Sequence, residues 1–81
     1  MSYRYRPGVL EQLARHGVRP TADTPPMRVR DYLSQLYRYE LRQLRGQVLR
    51  RELARRDYAS LVVSVRRRYP LLSVPVELWT E

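Results

Sequence analysis

The chain has no cysteine, lysine, isoleucine, phenylalanine or asparagine, and it carries one histidine and three glycines. Without cysteine there is no disulfide to staple the fold, no thiolate nucleophile and no sulfur to ligate a metal. His16 has no second imidazole or thiol to join it around a metal. No motif links it as a base to Ser34, Ser60, Ser64 or Ser73. No glycine-rich phosphate loop, HExxH pattern or recognisable carboxylate pair occurs. These absences argue against an enzyme, so no catalytic, metal-binding or cofactor-binding residue is assigned. No apolar run approaches the roughly 20 residues that span a bilayer. No apolar segment follows the basic N-terminus as it would in a signal peptide, so the expected location is the cytoplasm.

What is present is arginine. Sixteen basic residues, all of them Arg, face eight acidic ones, for a net charge of +8 in 81 residues. Guanidinium is planar and weakly hydrated, and it grips carboxylates or phosphates through paired hydrogen bonds. Such a surface favours acidic protein faces or nucleic acid. The length suits one small domain, residues 1–81, and 43% apolar residues allow a core.

The organising stretch runs from Thr24 to Asp57. Val29, Leu33, Leu36, Tyr37, Leu41, Leu44 and Val48 recur every three or four residues, which places them on one side of a long helix. Arg38, Arg42 and Arg45 share the other side. Gly46 is the one weak helix former within the run; there the helix can run through, kink or break in two, and the preferred reading is a single helix able to bend at that point. Leu49 and Leu53 fall opposite Val29 and Leu33, so the buried side changes beyond Gly46. Thr24 is the expected N-cap and Pro25 the first helical residue.

A shorter helix is predicted over Pro7 to His16, closed by a left-handed Gly17 with Val18 folding back toward Leu13. Residues 17–26 are turn formers and should reverse the chain. Residues 1–6 show no packing pattern and read as a loose arm, or as Tyr and Arg groups that stack on bases. A third helix is expected from Asp57, as cap, to the proline at position 70. Glu11 with Arg15 and Glu52 with Arg56 have the i,i+4 spacing of helix ion pairs, and Glu40 is expected to meet an arginine. In the tail from Pro70 to Glu81, apolar Leu72, Val74, Val76 and Leu78 alternate with other residues. That pattern predicts an extended segment closing the core or, alternatively, a strand offered to a partner's sheet.

The expected fold is therefore all-α: three helices, a long amphipathic one at the centre, and an extended C-terminal tail. Two functions follow. The preferred one is a small basic adaptor that docks on a larger protein with an acidic surface. Its partner-binding residues would be Arg38, Tyr39, Arg42, Arg45, Arg66, Arg67, Arg68, Val76, Leu78 and Trp79. The alternative is a nucleic-acid-binding protein whose arginines contact phosphates.

Overall fold

Pro7 opens the first helix at a position where its missing N–H costs nothing, and α1 spans Pro7–Ala14. The computed structural model describes residues 2–81. α1 stops short of His16, but its cap is the predicted one. Gly17 takes φ 73°, the Val18 N–H donates to the Leu13 carbonyl, and the Gly17 N–H donates to that of Ala14, both at 3.0 Å.

α2 spans Pro26–Leu49 and runs unbroken through Gly46. Its start lies one residue later than Thr24 would have set it, with Pro25 in the capping position. The Thr24 hydroxyl is engaged elsewhere, accepting the Thr21 N–H at 3.1 Å within the preceding turn. Its end is a larger correction. The helix was expected to continue to Arg56, yet it closes at Leu49 with the Glu52 N–H on the Gln47 carbonyl and the Arg51 N–H on that of Val48. This is the same cap as at Gly17, built on an arginine: Arg51 takes φ 60°. The left-handed conformation costs a non-glycine residue roughly 1 kcal/mol. The reversal offsets that cost by folding α3, Arg55–Arg67, back along α2. Asp57 consequently lies in the first turn of α3, and Ala54 holds the capping position. Glu52, now outside any helix, pairs with Arg50 at 3.1 Å and not with Arg56.

The core lies toward one end of this hairpin. Val29 and Leu33 of α2 meet Val9 and Leu13 of α1, Val65 of α3, and Tyr69, Leu71 and Trp79 beyond it. Leu36, Tyr37, Leu41 and Leu44 pack half-buried against the cluster. The tail corrects the extended reading. Pro70–Ser73 and Val76–Leu78 are two 3-10 turns, each set up by a proline, and they bring Trp79 to 0% exposure. Its indole N–H donates to the Val74 carbonyl at 3.2 Å. The N-terminal arm is corrected as well. Tyr5 is buried and forms an antiparallel bridge with Thr80, and the Tyr3 N–H donates to the Ala22 carbonyl. The part of that arm formed by Met1 lies outside the described residues.

The molecule measures 49 × 18 × 16 Å with a radius of gyration of 15.1 Å. A compact chain of this length would have about 12 Å. The exposed area, 6245 Å², also exceeds the roughly 5,200 Å² of a compact monomer of this mass. Both excesses have one source. The far half of the α2–α3 hairpin is a two-helix rod, and among the described residues the arm, α1 and the tail all pack at the other end.

Candidate docking surface

Helical spacing places Arg38, Arg42 and Arg45 on the outer side of α2, away from Val29 and Leu33, and all three are exposed. They span about 10 Å along the axis. Four arginines approach a carboxylate: Arg4 at Glu81, Arg15 at Glu11, Arg50 at Glu52 and Arg68 at Glu40. None of the ridge arginines does so among the described residues. Like charges at i,i+4 cost a helix some tenths of a kcal/mol, so the ridge lowers the stability of α2. Tyr39, three residues before Arg42 and also exposed, stands beside the ridge. Leu49 continues it and is 72% exposed at the helix end.

Arg66, Arg67 and Arg68 are exposed but do not extend that ridge. They are divided between two clefts at the end of α3. Arg66 lines a small one with Tyr37, Tyr69 and Leu72. Arg67 and Arg68 line a larger one, about 460 Å³, with Gln12, Arg15, His16 and Glu40. Here the ends of α1 and α3 are tied together. The His16 ring stacks on Tyr69 with centroids 4.4 Å apart, and its Nε2–H donates to the Arg68 carbonyl at 2.7 Å. Arg68 reaches Glu40 at 3.2 Å, the pairing foreseen for that glutamate. Burial, then the Glu40 carboxylate beside it, pushes the Tyr69 phenol up to about 12. Arg66 and Arg67 lie in the last turn of α3, where cations complement the helix C-terminus.

The tail residues separate too. Trp79, expected at a partner, belongs to the chain's own core, because the two 3-10 turns fold it inward. Val76 is half-buried against that core, and only Leu78, 54% exposed, faces outward.

Sequence reasoning passed over the tip of the hairpin. Val48, Leu49 and Tyr58 line a cleft of about 430 Å³ between Arg45 and Arg55. A second cleft, about 560 Å³, lies against Leu49, Leu53 and Arg51. The sequence placed Leu49 and Leu53 on a changed buried side, but Leu49 is 72% exposed, and the reversal that groups these residues with Tyr58 is tertiary. No helix among the described residues is long and apolar enough to cross a membrane, and no group of His, Asp or Glu among them is arranged to hold a metal ion. Compared with known proteins, the chain matches no family model, no curated protein and no solved structure.

Proposed function

We propose that the protein is a small non-catalytic adaptor that docks on an acidic protein surface through the outer face of α2. Arg38, Arg42 and Arg45 make the charged contacts, with Tyr39 and Leu49 packing beside them. The observation that carries this reading is the exposed ridge itself. Three guanidinium groups on successive turns have no carboxylate partner among the described residues and run directly into an exposed leucine. Tyr and Arg are, with Trp, the side chains enriched at binding hot spots. A partner's carboxylates would relieve the repulsion along the ridge, and Leu49 gains from a protein surface what it cannot gain from phosphate. The tail has no share in the docking beyond Leu78.

Nucleic acid is the second reading, favoured by the net charge of +8. Fluorescence titrations at several salt concentrations, using a glutamate-rich helical peptide and a short DNA duplex, separate the two. The adaptor binds the peptide at about 150 mM salt, near the physiological range. An Arg38/Arg42/Arg45 triple alanine variant loses that binding and keeps its melting curve. Sub-micromolar duplex binding at the same salt, abolished in the triple variant, would overturn the proposal. Such binding would show a log–log salt slope near −2.7 for about three neutralised phosphates.

A further inference from the structure

We infer that the tip of the α2–α3 hairpin is a docking groove for an acidic amphipathic helix of the partner protein. An apolar side chain of that helix seats against Val48, Leu49 and Tyr58, and its carboxylates meet Arg45 and Arg55. The inference deepens the adaptor reading and rests on it.

Three observations converge at the tip. The first is shape: the two clefts share Val48, Leu49 and Arg55, so Leu49 stands as a ridge between two hollows. Each hollow falls within the roughly 300–1,000 Å³ of ordinary binding clefts. The second is exposed grease. A single exposed leucine is ordinary, but here it adjoins half-buried Val48, Leu53 and Tyr58, none of which belongs to the core cluster. The arm, α1 and the tail all pack at the core, so no described segment covers the tip. The third is charge. Arg45 and Arg55 flank the apolar strip, and the glutamate in the turn is already taken by Arg50.

Together these features select the occupant. A second copy of the chain would bring its own arginines against Arg45 and Arg55, and with +8 on each copy the pairing is repelled. A purely acidic ligand would leave Leu49 in water, and a purely apolar one would bury unpaired guanidinium groups. A helix with leucines on one face and glutamates at its edges satisfies both, the mode in which an apolar helix face lies in a groove.

The test uses two peptides of identical composition. In one, leucines line one helix face and glutamates the other; in the second, the order is scrambled so that no face forms. Vesicles containing phosphatidylglycerol and a short DNA duplex serve as further probes. The parent protein is expected to bind the amphipathic peptide at least about tenfold more tightly than the scrambled one, the effect of burying one leucine-sized side chain. Leu49→Gln erases this preference and leaves scrambled-peptide binding intact. Arg55→Gln weakens both peptides.

Equal affinity for the two peptides, lost in the Arg38/Arg42/Arg45 variant, would overturn the groove and leave the adaptor reading standing. No binding of either peptide would overturn both. Leu49-dependent binding to vesicles or duplex, without the peptide preference, would replace the protein partner by lipid or nucleic acid. A loss of circular dichroism in Leu49→Gln would place the leucine in the fold and end the proposal.

Discussion

Replacing Trp79 by alanine tests whether the tail is structural or free. Trp79, Leu13 and Leu33 are the largest fully buried side chains, and Trp79 is the bulkiest of the three. An indole buries about 150–250 Å², worth roughly 4–6 kcal/mol at 25 cal/mol per Å². Measured tryptophan and phenylalanine truncations in cores cost about 3–5 kcal/mol. The whole domain, at about 0.05–0.15 kcal/mol per residue, has roughly 4–12 kcal/mol to lose. The loss also reaches past the ring. The Trp79 carbonyl accepts the Arg6 N–H at 3.0 Å, and the Glu81 N–H donates to the Arg4 carbonyl at 2.9 Å, so the indole anchors both termini. Trp79→Ala should therefore unfold at much lower urea by far-UV circular dichroism, with the slope retained. Trp79→Phe keeps a ring but strands the Val74 carbonyl that accepted the indole N–H, and should lose about 1–3 kcal/mol beyond the packing change. In the parent, fluorescence of the sole tryptophan should shift to the red in the same transition. If Trp79→Ala unfolds within about 0.5 kcal/mol of the parent, the tail does not close the core.

The parts of this fold that could be read from the sequence are those with local causes. A proline starts α1, a glycine ends it, and a step of three or four separates Val29, Leu33, Tyr37, Leu41 and Leu44. The parts that could not be read depend on meetings across the chain. No glycine or proline marks the turn at residues 50–54, and propensity alone carries α2 through it. The turn forms because α3 can then cover the α2 stripe, and Arg51 accepts a left-handed backbone to allow it. Alternation from Leu72 to Leu78 suggested an extended chain. Pro70 and Pro75 instead fix φ for two tight turns, and that fixed φ was the better signal. The arginine ridge of α2 follows from helical period, so it was legible. The separation of Arg66, Arg67 and Arg68 from it follows from how α3 lies on α2, as does the contact of His16 with Arg68, 52 residues away.

Leu33→Ala should cost about 2–5 kcal/mol in urea unfolding, while Leu49→Ala should be within about 0.5 kcal/mol of the parent, because only the first is buried. Alkali should destabilise the fold. With the Tyr69 phenol raised from 10 to about 12, its contribution is complete below pH 10 and is lost as pH rises through 12. Tyr69→Phe should flatten that limb of the stability profile, and an unchanged limb would count against the burial of its proton. The last prediction sets one substitution against itself at two glycines. At Gly17 an added Cβ meets no atom, yet φ 73° is a conformation that alanine resists, so Gly17→Ala should destabilise by about 1 kcal/mol. At Gly46 the backbone is helical and the new Cβ would lie 3.0 Å from the Arg50 guanidinium, the far end of a flexible, exposed side chain. Arg50 can swing aside, losing at most an exposed, solvent-screened pair with Glu52. The gain in helix propensity is about 1 kcal/mol, so Gly46→Ala should be neutral to stabilising. Thermal melts of the two variants should therefore lie on opposite sides of one another about the parent, or with Gly46→Ala level with it. A Gly46→Ala variant that melts as low as Gly17→Ala would mean that α2 does not run as a regular helix through this glycine to Leu49.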